Sequence, residues 1–266
     1  MPQLMKPYGI GVTLYSFLNR TDTRSPYYII AKFILKNMDN IKNISIKGLS
    51  EKTNVSTATI SRFCKEIGLN TFAELREMIN DSDSATEPNY DFSSINTEGP
   101  VLHRYIDSVI QNINNFKQFI DMSILEKLVQ DIHKYENVVT FGAMHMETVA
   151  LLLQNNFFRC KKIIDTRLDP RKQVEFIQEC GEDSLIIIFS ISGNYVREYL
   201  SNIIPSIEKK RPKIYVVTIN SEVKKLNYVD EVILLPDDSN NFSSHPIDSI
   251  LLVNIITLIY HEYYVE

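Results

Sequence analysis

The spacing of hydrophobic positions differs between the first 80 residues of this chain and the residues beyond 100. In the first part, apolar residues recur at intervals typical of helices that bury one face, as in Ile29, Ile30, Phe33 and Ile34. Beyond residue 100, short aliphatic runs alternate with helical patterns. The pattern therefore predicts an all-helical N-terminal part followed by an α/β part.

The aliphatic runs of the second part predict a parallel sheet. Helical stretches separate the runs, and strands that alternate with helices form βαβ units. The run at 185–189 is apolar at every position, as expected of a strand that is buried on both faces. Strands are predicted at 138–141, 161–165, 185–190, 214–219 and 231–235, with a helical stretch at about 101–134 before them and a helix at about 245–263 after them.

A polar segment separates the two parts. Residues 81–100 are rich in Ser, Asp, Asn, Glu, Pro and Gly and poor in aliphatic residues, which is the composition of a linker. We therefore predict one domain at 1–80 and a second at 101–266, with the sheet core of the second at 138–263.

The composition is that of a globular protein. Hydrophobic residues make up 44% and charged residues 23%, which excludes a disordered, collagen-like or coiled-coil chain. Cys64, Cys160 and Cys180 are too few and too scattered for a disulfide framework or a zinc site. No secretory signal is evident, and no apolar run approaches the ~20 residues that span a bilayer. We expect a cytoplasmic protein with no membrane partner, no metal and no cofactor.

Charge is divided unevenly along the chain. Residues 1–80 hold 11 Lys/Arg and 6 Asp/Glu, whereas residues 81–266 hold 17 and 27, although the whole chain carries −5. A basic part joined to a larger acidic part slightly favours a module that binds a polyanion. A chance division of the charges is the alternative.

The stretch 45–75 has the pattern of two short helices joined by a tight turn. Asn54 stands where the turn needs a residue that tolerates left-handed backbone angles. Ser56 then fits an N-cap. A second helix is predicted from Thr57 to about Ile67, and Gly68 ends it.

The second helix has an apolar face and a basic face. At 3.6 residues per turn, Ile60, Phe63, Cys64 and Ile67 fall on one stripe. Small residues at the start of the opposite face would let the helix enter a major groove, where Arg62 could contact guanine or phosphate. From the residues alone, an ordinary solvated face of a helical hairpin is an equal alternative. The candidate DNA contacts are Ser56, Thr57, Ala58, Thr59, Ser61, Arg62 and Lys65.

This stretch closely resembles the helix-turn-helix of RpiR-type bacterial transcription regulators. The resemblance implies a double-stranded DNA operator as partner, a homodimer or homotetramer, and a C-terminal SIS (sugar isomerase) domain with a doubly wound, five-stranded parallel sheet. The resemblance covers about 50 residues. Its matching positions are Ser45, Leu49, Ser50, Glu51, Lys52, Val55, Ser56, Ala58, Thr59, Ile60, Arg62, Phe63, Cys64, Lys65 and Gly68, with 31–37 and 72–76 beside them.

The loop after the third predicted strand has the residues of an anion cradle. Ser190 and Ser192 offer hydroxyls, Gly193 allows close approach, and a helix predicted near Asn194 would supply N–H groups. The loop also resembles the S-x-S-G-x-T phosphosugar loop of the same family. Tyr195 replaces the threonine, which removes one hydroxyl and adds bulk.

The loop after the first strand departs further from the family pattern G-x-G-x-S. Gly142 matches, but Met144 and Met146 replace the second glycine and the serine. A sugar-phosphate effector is therefore one hypothesis, and a domain that only oligomerises or binds another ligand is the second. The candidate effector residues are Gly142, Met144, His145, Met146, Ser190, Ser192, Gly193, Asn194 and Tyr195.

A phosphosugar enzyme is a third hypothesis, because the same fold occurs in isomerases. Such an enzyme needs a base beside the sugar, and the nearest candidates are His145, Glu147, Glu198 and His245. Paired carboxylates are not evident around them. We therefore assign no catalytic residue and expect a regulator that is not an enzyme.

Overall fold

The computed structural model describes residues 10–41, 43–81, 98–142, 145–204, 211–240 and 242–265. The chain divides into two compact units, within 1–89 and 90–266. Residues 82–97, most of the predicted linker, lie outside the described part of the chain.

The described part of the N-terminal unit is helical, as the sequence predicts. Its core contains Leu14 from the first helix, Ile30 and Ile34 from the second, and Leu49 and Phe63 from the helix-turn-helix, each fully buried. The helices are α1 (Ile10–Arg20), α2 (Pro26–Lys36), α3 (Met38–Ile41), α4 (Ile46–Thr53), α5 (Thr57–Glu66) and α6 (Phe72–Asp81).

The second unit contains a five-stranded, all-parallel sheet in the order β2-β1-β3-β4-β5. The chain leaves β1 toward one edge and returns on the other side of it as β3, so the topological switch lies between these two strands. Ligands of open α/β sheets bind at such a switch, beyond the carboxyl ends of the strands. The strands are β1 (Asn137–Gly142), β2 (Asp165–Thr166), β3 (Ser184–Phe189), β4 (Lys213–Thr218) and β5 (Glu231–Leu234).

Helices cover both faces of the sheet, which confirms the predicted doubly wound α/β class. Val138 belongs to a core cluster shared with residues of α8, α9 and α11. Phe141, which alternation places on the opposite face, meets Phe176 of α10 edge to face at 6.2 Å. The helices are α7 (Val101–Phe119), α8 (Met122–Lys134), α9 (His145–Arg159), α10 (Pro170–Glu179) and α11 (Ile247–Tyr264).

Three local predictions differ from the structure. The helical stretch at 101–134 is two helices, because the Asp121 carboxylate accepts the Ser123 N–H and starts α8 anew. The strand predicted at 161–165 is wrong except at Asp165, since β2 holds only two residues and Lys161 has φ 58°. The segment after β3 is a π-helical turn, Tyr195–Tyr199, rather than an α-helix.

None of the described helices combines the length and the apolar character needed to cross a membrane.

Candidate functional site

The turn between α4 and α5 has the geometry that the sequence predicts. The Ser45 hydroxyl caps α4 by accepting the Gly48 N–H at 3.0 Å. Asn54 ends α4 in the left-handed region, at φ 54° and ψ 36°. The chain can therefore reverse within three residues and begin α5 at Thr57.

Hydroxyl groups fix the start of α5. The Ser56 hydroxyl accepts the Thr59 N–H at 3.1 Å and lies 2.9 Å from the Thr59 hydroxyl. Ser61 donates its hydroxyl to the Thr57 carbonyl at 3.1 Å. The first turn of α5 is therefore capped by side-chain hydroxyls.

The two faces of α5 are separated as the sequence predicts. Ile60, Phe63 and Cys64 are fully buried, and the Phe63 ring meets those of Phe17 and Tyr27 at 5.6 and 6.0 Å. Burial raises the pKa of the Cys64 thiol to about 11, so Cys64 packs as a small hydrophobic residue.

The opposite face of α5 is open to solvent. Thr59 is half-buried, and the other six candidate DNA contacts are exposed. Within the described residues, Arg62 and Lys65 form no ion pair, although the Arg62 Nε–H lies 3.5 Å from the Ala58 carbonyl. Both cations are thus available to a polyanion.

In the second unit, the loop after β3 is held against the end of β4. The Thr218 hydroxyl donates to the Ile191 carbonyl at 2.8 Å, and the Asn220 amide donates to the Ser192 carbonyl at 2.9 Å. Gly193 has φ 75°, and a Cβ there would lie 2.7 Å from a Val223 methyl. The glycine is therefore required by the loop's own packing, a role that the sequence did not indicate.

The polar groups of this loop differ in their exposure to solvent and in the hydrogen bonds that they already make. Ser190 is buried, whereas Ser192 is exposed. The N–H groups of Gly193 and Asn194 already donate to the Ser190 carbonyl and the Ser192 hydroxyl, at 3.0 and 3.3 Å, and the Arg197 N–H donates to the Gly193 carbonyl. These three N–H groups are therefore already engaged within the loop, unlike the free helix N-terminus that the sequence predicted for an anion.

Tyr195 extends away from the loop and into the α10 layer. Its hydroxyl donates to Gln173 Oε1 at 2.5 Å, and both side chains are buried. The Gln173 amide in turn donates to the Arg167 carbonyl at 2.5 Å. The Tyr195 side chain is therefore buried against α10 and does not fill the space beside the loop, which the sequence had suggested it would. Through Gln173, it also connects the loop to the segment after β2.

In the loop after β1, Met144 lies outside the described residues. Gly142 is buried, and a Cβ there would lie 2.1 Å from the Met146 carbonyl oxygen, so only glycine fits. The Met146 side chain is 3% exposed and packs in the core, so its placement gives no support to the predicted effector contact. His145 is exposed at the start of α9.

His145 marks the place where the starts of α9 and α11 meet. Its ring lies edge to face against that of His245, with centroids 5.4 Å apart. His245 is 7% exposed, and burial, together with His145, lowers the pKa of its imidazole to about 4. His245 is therefore neutral at pH 7.

A run of buried polar residues surrounds His245, and sequence reasoning missed it as a unit. Asn112 donates to the Ser243 hydroxyl at 2.6 Å. The sequence feature that could have revealed it is the polar segment 237–245, which precedes the apolar last helix. The other buried members of the run are Ser244, Asp248 and Ser249.

The remaining candidate bases show no catalytic arrangement within the described residues. Glu147 lies in the first turn of α9, where a carboxylate complements the helix dipole. The Glu198 side chain is outside the described part. No group of three or more metal-ligating side chains occurs among the described residues.

Comparisons with known proteins support the helix-turn-helix of the first unit and the fold of the second. Residues 24–86 match the helix-turn-helix domain of the rpiR family. The chain is 22% identical over 166 residues to the HTH-type transcriptional regulator HexR of Pseudomonas aeruginosa. The aligned region covers 62% of this chain and 58% of HexR. The chain thus spans little more than half the length of this curated relative.

Two solved structures share the fold. The Vibrio vulnificus NanR protein, solved in complex with ManNAc-6P, has a TM-score of 0.53 at 17% identity, over 96% of this chain and 92% of NanR. The sugar isomerase domain of an RpiR transcription factor from Sphaerobacter thermophilus has a TM-score of 0.51 at 14% identity, over 62% of this chain and 91% of that domain. The likeness confirms the predicted fold class.

Proposed function

Because residues 24–86 form an RpiR-family helix-turn-helix domain and the second unit has the SIS fold, we propose that this chain is a DNA-binding transcriptional regulator. Its α5 is the recognition helix. The carrying observation is the capped, exposed face of α5, which has small residues at its start and, further along, two cations without an ion pair among the described residues. Residues 81–100 join the two domains in this proposal.

Recognition of the operator follows from the α5 surface. Ala58 and Ser61 are small enough for the helix to enter the ~12 Å major groove. Arg62 can bind guanine in a bidentate manner, and Lys65 suits a phosphate. A second copy of the chain would place another α5 one helical turn, about 34–36 Å, along a palindromic site. A homodimer or homotetramer therefore belongs to this proposal.

The SIS unit is proposed to bind a sugar phosphate that changes the affinity for DNA. Ser190 and Ser192 lie at the carboxyl edge of the sheet, beside the topological switch, and can receive the phosphate. NanR, a neighbour in fold, was solved with ManNAc-6P, which supports this ligand class here. Binding would favour one arrangement of the two DNA-reading units over another.

One experiment tests both parts. The full chain is used to select its operator from random duplexes, and Kd is measured for the unchanged chain, Arg62→Ala and Arg24→Ala. Loss of a base contact costs about 1–3 kcal/mol, so Arg62→Ala should bind roughly 5- to 150-fold more weakly. Arg24 is the matched control, because its side chain is 89% exposed and paired with Asp22. The Arg24→Ala chain should bind the operator with the Kd of the unchanged chain.

The same duplex then tests the effector. Kd is measured again with glucose 6-phosphate, ribose 5-phosphate or N-acetylmannosamine 6-phosphate present, and with a Ser190→Ala, Ser192→Ala chain. At least one compound should change Kd, and the double variant should abolish the change. Selection of no sequence, or equal Kd for Arg62→Ala, would contradict the α5 role. Indifference to every compound would contradict the effector role alone.

A further inference from the structure

The N-terminal unit contains a groove that the proposed function does not use. The groove has a volume of about 400 Å³, is partly open to solvent, and lies between the end of α2, α3 and α4. Its volume falls in the lower part of the range of pockets that hold small molecules. None of the seven candidate DNA contacts lines it, so a ligand here would not occupy the face of α5 that is proposed to read DNA.

Part of the groove lining is apolar. Ile41 is fully buried in the core of the unit, and Phe33 and Ile44 pack against that core while remaining half-buried. An apolar group that covered Phe33 and Ile44 would remove them from water, which is favourable. The groove therefore suits a ligand with an apolar body.

The backbone acceptors at the end of α2 are already engaged. The Asn37 side-chain amide donates to the Phe33 carbonyl at 2.8 Å, and the Asn37 N–H donates to the Ile34 carbonyl at 3.0 Å. The Asn37 carbonyl accepts the N–H groups of Asn40 and Ile41 at 2.9 and 3.0 Å. These carbonyls are therefore satisfied within the unit, although the end of a helix would otherwise favour a cation.

The polar groups that stay available in the groove are hydrogen-bond donors. Within the described residues, the side chains of Asn40, Asn43 and Lys52 are exposed and make no hydrogen bond or ion pair. Lys52 is the one ionisable side chain among the described residues of the lining, since its neighbours in the region, Asp39 and Glu51, do not line the groove. One ammonium group and two amides match a ligand that carries a single negative charge.

We propose that this groove binds a small organic carboxylate. The carboxylate group meets Lys52 and the amides of Asn40 and Asn43, while the apolar body of the ligand lies against Phe33 and Ile44. The site is separate from the α5 surface and from the SIS unit. This inference therefore goes beyond the proposed function and stands or fails independently of it.

Ligand-observed NMR titrations of the full chain test the chemistry of the site. The probes are phenylacetate and 4-methylpentanoate, which carry both a carboxylate and an apolar body. Phenylacetamide lacks the charge, and acetate lacks the apolar body. At least one of the two probes should bind more tightly than either partial ligand.

Three variants locate the binding in the groove. Lys52→Gln should bind the carboxylate probes roughly fivefold more weakly, because an exposed ion pair is lost. Asn40→Asp places a like charge in the groove and should weaken the same probes, while neither change should alter the affinity for phenylacetamide. Lys47→Gln is the matched control, because Lys47 is an exposed lysine of α4 that does not line the groove.

The melting temperature without ligand checks that the variants are folded. Since Lys52 and Asn40 are exposed and their side chains have no described partner, both variants should melt close to the unchanged chain. Failure of both probes to bind, equal affinity for phenylacetamide, or equal affinity of Lys52→Gln and the unchanged chain would overturn the site. Each of these outcomes leaves the proposed role of α5 in operator binding standing.

Discussion

Burial sets the chemistry of His245 and Tyr195. His245 was a candidate base in the sequence, yet its buried, neutral imidazole is suited to hydrogen bonding at pH 7. Tyr195 replaced a small hydroxyl residue in the expected loop, yet its hydroxyl is committed to Gln173. At this scale, the identity of a residue gave its candidate roles, and its surroundings selected among them.

His245 should make the folded state sensitive to acid. Its folded pKa of about 4 lies below the ordinary 6.5, so the unfolded chain takes up a proton first as the pH falls. Its stabilising contribution is complete above about pH 6.5 and is lost progressively toward pH 4, by up to about 3 kcal/mol.

Urea unfolding between pH 4 and 7 measures this dependence. The His245→Gln chain should show a smaller fall in the free energy of unfolding than the unchanged chain. His103→Gln, at an exposed position of α7, is the control. Its free energy of unfolding should fall with pH as steeply as that of the unchanged chain. Equal slopes for all three chains would show that His245 does not titrate as its burial implies.

At the scale of elements, the start of α5 joins stability to recognition. The same hydroxyls that cap the helix lie on the face proposed to meet DNA. The left-handed Asn54 fixes the angle at which α5 leaves the turn. The sequence predicted this element well because caps, turns and helical faces are set by residues only a few positions apart.

Ser56→Ala should destabilise the N-terminal unit. Loss of an N-cap typically costs about 1 kcal/mol, because the Thr59 N–H loses its acceptor. The control is Ser61→Ala, at an exposed position inside α5 whose hydroxyl returns to its own helix, and it should change stability by less than about 0.5 kcal/mol. The measurement is the free energy of unfolding by urea. A Ser56→Ala chain as stable as Ser61→Ala would argue against the cap.

For the whole molecule, the division of charge matches the division of labour that we propose. In that proposal, the basic helical part reads DNA and the acidic α/β part binds the effector. An overall charge of −5 would repel DNA if it were spread evenly. The basic face must therefore act locally, over the screening length of about 8–10 Å in physiological salt.

The salt dependence of DNA binding should report this local action. The slope of log K against log salt is negative, and replacing Lys65, an exposed α5 residue, by Ala should lower its magnitude by about 1 if Lys65 contacts one phosphate. Lys225, which is 72% exposed in the second unit, is the control, and Lys225→Ala should leave the slope unchanged. Fluorescence anisotropy on the selected operator measures both. A slope altered equally by the two changes would mean that Lys65 has no specific phosphate contact.

The sequence by itself determined the helical first part, the parallel α/β second part and the exposed basic face of α5. These follow from periodicity, capping and aliphatic runs, which are local in the chain. It failed at β2, where the aliphatic Ile163 is 77% exposed in a loop, and at the turn after β3. In both, the backbone conformation depends on neighbouring segments.

Only the tertiary structure decided which side chains meet at the carboxyl edge of the sheet, where the effector is proposed to bind. The Tyr195–Gln173 bond joins residues 22 positions apart, and the His145–His245 contact joins two helix starts about 100 positions apart in the sequence. From the sequence alone, Ser244 and Ser249 cannot be distinguished from surface serines, although the structure buries both. Burial, hydrogen bonding and proximity give them their meaning, and these arise only when the sheet and its helices pack together.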